Sequence, residues 1–350
     1  MPYFSLQASS LWLAALACLP LGSIAHAGII EWVTVGDPGN TADTDPAGYG
    51  AVAASFQIMK YEFTNQLYTE FLTSVAATSD TYSLYNASMG SDPRGGITQS
   101  GSSGSYTYSA KTDMGDKPVN YVSWFDAARV SNWLMNGATS SSSTETGAYT
   151  FVGGQTTGTA PAVNSGATFY VPTEDQWYKA AYYKGGGTSA GYWDYATQSD
   201  SAPTAVTAGV TGIGSAGSTG NFANYNNNAV WNSQNGNVTT VGTNGGAGAY
   251  GAFDMSGNVA EWNDLTGAAG SSRGLRGGYW GAGLAVGVSS SGGLTSYDVS
   301  NEDYAGSIGF RLASPVSGPS GVPEIDPSSF GSALALVLGS LGLFERRRAR

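Results

Sequence analysis

The sequence predicts a loop-rich fold with short helices and little regular secondary structure. Of its 350 residues, 51 are Gly, and glycine weakens the interiors of helices and strands. Only 11% of the residues are charged, against about 25% in an ordinary soluble domain, so long salt-bridged helices are not expected. Aromatic residues make up 12%, which is more burial material than a disordered chain carries. The length suits one large domain or two ordinary ones.

The chemistry open to this chain is limited by its single Cys and single His. Cys18 and His26 both lie within residues 1–27. If that segment is removed on secretion, the remaining chain has no thiol and no imidazole. It then has no Cys-His or Ser-His-Asp nucleophile, no zinc or haem site with Cys or His ligands, and no disulfide. Any metal must be held by oxygen atoms. The formal net charge of −11 argues against a nucleic-acid partner, because phosphate binding needs a basic surface.

Residues 1–27 are predicted to be a secretory signal peptide. The apolar stretch 11–21 contains no charged side chain, and Ala25-His26-Ala27 fits the small-x-small rule for signal cleavage. The alternative is a buried N-terminal helix. The signal peptide predicts export, so the folded body is expected to begin at residue 28.

The C-terminus has a three-part pattern over residues 322–350. Val322-Pro-Glu-Ile-Asp-Pro327 precedes the apolar segment 330–344, which is followed by Arg346 to Arg348. We expect the apolar segment 330–344 to be a transmembrane helix, which at about 22 Å is short for a bilayer core of about 30 Å. The pattern resembles the PEP-CTERM sorting signal of exported bacterial proteins, with Ile325 where that signal usually has Pro. The resemblance implies cleavage by an inner-membrane sorting protease, and a protein that is membrane-anchored, or at the cell surface or extracellular after processing. Residues 315–321 would be a linker.

Three helices are predicted in the body, each from an N-cap residue followed by apolar residues at helical spacing. They begin after Thr64, Ser123 and Thr173. The second and third start with capping boxes, in which the N-cap side chain and the side chain three positions later bond each other's backbone N–H groups. Gly137 is expected to end the second helix, and Gly185 the third.

The segment 221–237 contains eight Asn residues in seventeen positions. Such a tract could be a solvated low-complexity loop. However, Phe222, Tyr225 and Trp231 are interspersed with the asparagines. The composition therefore favours an ordered loop rich in carbonyl oxygens.

Six motifs occur in a characteristic order along the body. They are Lys60-Tyr-Glu-Phe-Thr-Asn65, Pro118-Val-Asn-Tyr-Val-Ser-Trp-Phe-Asp-Ala127, Val171-Pro-Thr-Glu-Asp-Gln-Trp177, Gly251-Ala-Phe-Asp-Met-Ser-Gly-Asn-Val-Ala-Glu-Trp262, Leu275-Arg-Gly-Gly278 and Gly309-Phe-Arg311. The ordered series closely resembles the formylglycine-generating enzyme (sulfatase-modifying factor) domain. The resemblance covers nearly the whole body and implies one α+β domain with a C-type-lectin-like core, over residues 28–314.

The most informative motif is the one that contains Asp254 and Glu261. These carboxylates lie seven residues apart, and Gly257 and Asn258 allow a sharp turn between them. Calcium takes six to eight oxygen ligands and accepts backbone carbonyls readily. The resemblance implies a structural calcium site, with the side chains of Asp254 and Glu261 and the carbonyls of Gly257 and Val259 as ligands. The alternative is that the two carboxylates only cap turns.

A second calcium site of the family begins at a segment that looks like Ala223-Asn224-Tyr225. The resemblance implies that Asn224 contributes its side chain and Tyr225 its carbonyl. The later acidic ligand of that site has no counterpart in residues 221–250, which contain no Asp or Glu.

The redox chemistry of the family is not expected in this chain. Active members oxidise a substrate cysteine to formylglycine with a copper ion held by two cysteines. Counted from Arg276, those two positions are Ala282 and Gly287, and Tyr279 replaces the Ser that usually follows the R-G-G motif. Copper(I) prefers thiolate ligands, which Ala and Gly cannot supply. A related branch, the iron-dependent sulfoxide synthases, binds iron through histidines that are also missing here.

The segment between Gly278 and Gly309 combines aromatic and acidic side chains among small residues. In lectin-like folds such loops can bind a glycan or a protein ligand. The alternative is that the aromatic pair after Gly278 is part of the core and that the acidic residues lie in a solvated loop. The predicted ligand face consists of Tyr279, Trp280, Tyr297, Asp298 and Tyr304.

Two functions from different classes follow from these observations. The favoured one is an exported, non-catalytic module, stabilised by calcium, with a binding role at the surface or in a matrix. The alternative is an oxidase of the formylglycine-generating type that acts on sulfatase cysteines. That alternative would need a copper site without cysteine.

Overall fold

The structure, a computed structural model, describes residues 29–46, 48–301 and 306–316. The predicted signal peptide, the apolar segment 330–344 and the rest of the sorting signal lie outside the described residues. Within the described residues, no helix is both long enough and apolar enough to cross a membrane. The helices are α1 (Asn65–Val75), α2 (Ala87–Ser91), α3 (Trp124–Met135) and α4 (Glu174–Tyr182).

Short strands account for most of the remaining regular structure. They are β1 (Trp32–Val35), β2 (Phe56–Met59), β3 (Ile97–Ser100), β4 (Thr107–Ala110), β5 (Thr204–Ala205), β6 (Phe222–Ala223), β7 (Ala260–Asn263), β8 (Ser272–Arg276), β9 (Leu294–Asp298), β10 (Ile308–Gly309) and β11 (Ala313–Pro315). One sheet has the order β1-β2-β11 and another the order β10-β7-β8-β9. Strands β3 and β4 form an antiparallel pair, and β5 and β6 a parallel one. The predicted loop-rich α+β fold is confirmed.

All three predicted helix starts are confirmed. The Thr64 hydroxyl accepts a hydrogen bond from the backbone N–H of Leu67. At α3, the Ser123 N–H donates to the Asp126 carboxylate over 2.8 Å, and the Asp126 N–H donates back to the Ser123 hydroxyl over 3.2 Å. The same reciprocal pair starts α4, after Thr173. These bonds satisfy N–H groups that the first helical turn leaves without a partner.

The predicted end of α4 at Gly185 is wrong. The helix ends at Tyr182, and Tyr183 takes an extended conformation as the C-cap residue. Tyr183 instead pairs with Tyr192 in an isolated β-bridge, and the two rings pack edge to face with centroids 4.9 Å apart. Tertiary pairing therefore ends the helix before the glycines can.

The core contains two main clusters of buried residues. In the larger one, α1 packs on α3 through Phe71 and Trp133, whose ring centroids are 5.4 Å apart. In the second, Trp177 of α4 packs with residues of the β1-β2-β11 sheet. Trp124, Trp133, Trp177 and Trp262 are fully buried. The high aromatic content is therefore used to fill a core enclosed mostly by loops.

The Asn-rich segment 221–237 is an ordered loop, as predicted. Asn224 and Asn237 are completely buried, and Trp231 is nearly so. The indole N–H of Trp231 donates to the carbonyl of Val238 over 2.8 Å. The segment therefore contributes polar side chains to the buried interior of the molecule.

Candidate functional site

The polar centre of the molecule is organised by Asn258, which is fully buried. Its backbone lies in the left-handed region, with φ of 65°. Its amide donates to Glu62 Oε2 over 2.7 Å. Its carbonyl oxygen accepts from the Thr239 N–H over 2.9 Å and from the Asn224 amide over 3.1 Å. One side chain therefore joins the first motif, the Asn-rich loop and the segment after it.

Glu62 is a fully buried carboxyl in this centre, with no exposed surface. Besides the bond from Asn258, it accepts the N–H of Val259 over 3.2 Å. Burial raises the pKa of Glu62 well above its usual range, and the negative charges of Asp254 and Glu261 raise it further. The three carboxyl groups thus lie in one buried cluster.

Glu261 forms a buried ion pair with Arg311, and both side chains have 0% exposure. Arg311 Nε donates to Glu261 Oε2 and Nη2 to Oε1, each over 2.6 Å. The Trp177 indole N–H donates to the same Oε2 over 2.8 Å. The guanidinium also donates to the carbonyls of Met59 and Phe253. Of the four lone pairs of the Glu261 carboxylate, three are used.

Asp254 precedes the turn at Gly257 and Asn258, and its backbone lies in the left-handed region with φ of 60°. Its carboxylate accepts from the Gly242 N–H and from the Asn244 amide. Burial raises the pKa of Asp254, although these two hydrogen bonds act in the opposite direction. The cluster therefore combines three carboxyls with one guanidinium. If all ionise, it carries an excess of negative charge.

Asn224 meets the loop that contains Asp254 through a parallel bridge to Gly257. The Asn258 N–H donates to the Asn224 carbonyl over 2.9 Å. The side-chain oxygen of Asn224 is buried and has no hydrogen-bond partner among the described residues. Tyr225 lies next to it, with its hydroxyl donating to the Pro203 carbonyl over 2.7 Å. The two calcium segments implied by the resemblance are thus adjacent in the fold.

The oxygen donors at this centre suit a hard cation. Asp254 keeps two unused lone pairs, Glu261 keeps one, and the orphaned Asn224 oxygen is a further acceptor. Calcium accepts such a mixture of carboxylate and carbonyl oxygens. In the described part of the chain, no three Asp, Glu, His or Cys side chains converge on one metal position. The predicted site would take its remaining oxygens from the carbonyls of Gly257 and Val259. Calcium binding stays a prediction.

A pocket of about 380 Å³ lies beside β8, β9 and the 3₁₀ turn Ala285–Val288. Ala282 and Gly287 both line it. A Cβ atom built on Gly287 would lie 3.2 Å from the Cβ of Ala282. The two positions where active family members are expected to have cysteines are therefore side by side in this pocket.

The pocket wall is held by Arg276. Its guanidinium pairs with Glu174 of α4 and donates to the carbonyls of Ser290 and Gly292 over 2.8 and 2.7 Å. It also stacks 4.7 Å from the centre of the Tyr49 ring. Because Glu174 neutralises Arg276, the described part of the pocket lining contributes no uncompensated charge.

The predicted ligand face is only partly assembled around this pocket. Tyr279 and Tyr297 line it. Trp280 is 6% exposed, lies under the Arg94 guanidinium at 4.3 Å, and donates its indole N–H to the Gly306 carbonyl, which is a core position. Asp298 is exposed and accepts hydrogen bonds from Ser300. Tyr304 lies outside the described residues.

The pocket does not fit the copper ion of active family members. Thiolates are the ligands that copper(I) prefers, and the described lining contains no sulfur atom. At Ala282 the side chain is a methyl group, and at Gly287 it is a hydrogen atom.

Sequence reasoning missed two residues of the centre. Glu62 and Arg311 occur in recognised motifs, but neither was assigned a role. The available signal was a charged residue between two apolar neighbours, since Glu62 lies between Tyr61 and Phe63, and Arg311 between Phe310 and Leu312. A charge at such a position is buried only when it is paired.

Together these features define a loop-rich α+β domain with a buried polar network around an oxygen-lined loop, and with a pocket in whose described lining the one charged side chain is compensated. The chain belongs to the FGE-sulfatase family, described as the sulfatase-modifying factor enzyme 1-like domain, which it matches over residues 31–316. No curated protein matches the chain.

Solved structures that are similar to this chain include the following two. Treponema denticola variable protein 1 is 18% identical, with 81% of this chain and 94% of that chain covered and a TM-score of 0.47. CarF is 22% identical, with 83% of this chain and 99% of that chain covered and a TM-score of 0.45.

Gly257 provides a direct test of the loop geometry. With φ of 94°, a Cβ at this position would lie 2.3 Å from the Asn224 carbonyl oxygen. Gly217 is the matched control, because its φ is 63° and its surroundings are open. We expect Gly217→Ala to cost about 1 kcal/mol of unfolding free energy for its left-handed backbone. Gly257→Ala should cost at least about 2 kcal/mol more, because the backbone must also move. Equal losses in urea denaturation would contradict the close approach of the two segments.

Proposed function

We propose that this protein is an exported, non-catalytic member of its family that retains the scaffold and uses its surface to bind a ligand. The observation that supports this most directly is the 3.2 Å approach of Ala282 and the Cβ position of Gly287. The pocket where thiolates would be expected is present, yet its walls carry only a methyl group and a hydrogen at those points. A copper-dependent oxidation has no ligands there.

The lining of this pocket favours an uncharged ligand. Arg276 is neutralised by Glu174, and the rings of Tyr279 and Tyr297 provide apolar faces with polar tips. Leu294 also lines the pocket and is 51% exposed. Exposed apolar side chains next to a pocket are typical of binding surfaces. A glycan or a protein with an uncharged contact region is the ligand class that this surface suits.

The proposed location is the cell surface or the extracellular space. The support comes from the sequence of residues 1–27 and 322–350, which resemble a signal peptide and a PEP-CTERM sorting signal. A membrane protease that recognises the C-terminal signal would be a transient partner.

We further propose that calcium stabilises the scaffold. Asp254 and Glu261 would provide carboxylate oxygens, and Gly257 and Val259 their carbonyls. Asn224 and Tyr225 would supply oxygens to a second position. The buried cluster has three carboxyls and one guanidinium, so a divalent cation would offset its excess negative charge. When bound, the ion would hold together the turn that runs from Asp254 to Glu261.

Calcium removal should lower the melting temperature of the full chain. A ligand that binds only the folded state stabilises it by about 2.7 kcal/mol at 100 times its Kd, which raises Tm by roughly 4–5 °C for a domain of this size. We expect this shift between chelated and calcium-loaded wild type, and expect Asp254→Asn to lose most of it. Asp298→Asn, at an exposed carboxylate, serves as the control and should respond like wild type.

Calorimetric titration of the metal-free wild type makes this test independent of how the variant folds. Saturable calcium binding is expected. No heat of binding, or equal Tm shifts in wild type and Asp254→Asn, would contradict the assigned site.

Restoring thiols should restore copper(I) binding. The two adjacent Cβ positions can direct two thiolates to one ion, so Ala282→Cys/Gly287→Cys is expected to bind about one copper(I) per chain under reducing conditions. Wild type and each single variant should bind none at this position in competition with a colorimetric copper(I) chelator. Tight binding by wild type would contradict the proposal and favour the oxidase alternative. Failure of a folded double variant would contradict the placement of the two positions.

A further inference from the structure

A second cavity lies away from the pocket at Ala282, between the α1–α2 connection and the β3–β4 hairpin. Its volume is about 430 Å³, within the range of about 300–1,000 Å³ typical of small-ligand sites. It shares no lining residue with the pocket at Ala282. Its lining is mostly polar, and we call it the polar dish. The dish is lined chiefly by Ser79, Asp80, Ser83, Tyr85, Gln99 and Tyr106.

Asp80 is held in a fixed orientation at the dish. One carboxylate oxygen accepts the Leu84 N–H over 2.8 Å, and the other accepts the Tyr85 N–H over 2.9 Å. A carboxylate oxygen has two lone pairs, so each keeps one for a ligand. The two carboxylate oxygens of Asp80 are therefore neighbouring hydrogen-bond acceptors. Such a pair suits two neighbouring hydroxyl groups of a ligand.

Gln99 provides a second fixed planar group. Its amide donates to the Tyr108 hydroxyl over 3.1 Å, and its backbone N–H donates to the Tyr85 hydroxyl over 3.3 Å. Within the described part of the chain, the Gln99 side-chain oxygen accepts no hydrogen bond. It therefore offers an acceptor, and the second N–H of the amide offers a donor.

Aromatic rings form part of the dish. Tyr85 and Tyr106 are half-buried and both contact Tyr108, with ring centroids 5.7 and 6.5 Å apart. The buried Tyr108 donates its hydroxyl to the Ala76 carbonyl, so the group is anchored to the end of α1. Tyrosine combines an apolar ring with a polar hydroxyl. Such rings can pack against the C–H face of a sugar.

The charge of the dish restricts the ligand. Asp80 is the one charged side chain among the lining residues that the structure describes. An anionic ligand would meet a like charge and no compensating cation, which disfavours binding. A metal ion would find a single carboxylate already accepting two N–H bonds, far short of the six or more oxygens that calcium takes.

We propose that the polar dish binds a neutral carbohydrate of one or two sugar units. Sugar hydroxyls both donate and accept hydrogen bonds, which matches the fixed carboxylate, the fixed amide and the hydroxyls of Ser79 and Ser83. The apolar face of a sugar ring matches the tyrosines. This assignment is independent of the proposed function of the pocket at Ala282.

Affinity electrophoresis of the full chain in native gels tests the assignment. The gels contain dextran, mannan, xylan or hydroxyethyl cellulose as neutral polysaccharides, and polygalacturonate as the acidic one. We expect at least one neutral polymer to retard the wild-type chain and polygalacturonate to leave its mobility unchanged. No retardation by any neutral polymer, or equal retardation by polygalacturonate, would overturn the proposal.

Substitutions locate the binding to the dish. Gln99→Ala and Tyr106→Ala should each weaken binding of the retarding polymer at least tenfold, with Gln234→Ala as the matched control at a position outside the dish. Thermal melts check that each variant is folded. If one of the two dish variants does not fold, the other decides. Wild-type retardation in a folded Gln99→Ala or Tyr106→Ala variant would show that the sugar binds elsewhere and would reject this assignment.

Discussion

The structure depends on the buried ion pair between Arg311 and Glu261. Its two charges have no exposed surface, so they are stable only because each is matched by a partner at hydrogen-bond distance. Removing one partner of such a pair typically costs about 3–5 kcal/mol, since the other charge stays buried. Arg311 also donates to carbonyls at the end of β2 and before the Asp254 turn. One guanidinium thereby fixes segments distant in sequence.

The same centre connects the two parts of the core. Trp177 belongs to the cluster around α4 and donates to Glu261, while Glu62 precedes α1 and accepts from Asn258. The oxygen-lined loop is therefore part of the structural frame rather than an addition to it. The pocket at Ala282 and Gly287 is lined by none of the three carboxyl groups of this centre. Substitutions at these two pocket positions therefore leave in place the contacts that hold the oxygen-lined loop.

Local signals in the sequence were sufficient for the helix starts, because an N-cap residue and its partner three positions later interact only with their own neighbourhood. The end of α4 was mispredicted because a contact with Tyr192 decides it. Strands of two to five residues have too few positions for an alternating pattern to be read. The adjacency of Ala282 and Gly287 depends on the turn at Ala285–Val288, which nothing in the spacing alone specifies. Glu62 was missed because the sequence around a single carboxylate does not indicate which distant residues it contacts in the fold.

We proposed above that the chain retains the family scaffold without the family oxidation. The most direct measurement is mass spectrometry of a cysteine-containing sulfatase peptide after incubation of the full chain with copper and oxygen. We expect the cysteine to be recovered unchanged, because no thiolate is available to hold copper beside Tyr279 in the pocket. Formation of the peptide aldehyde above the level seen with copper alone would contradict it.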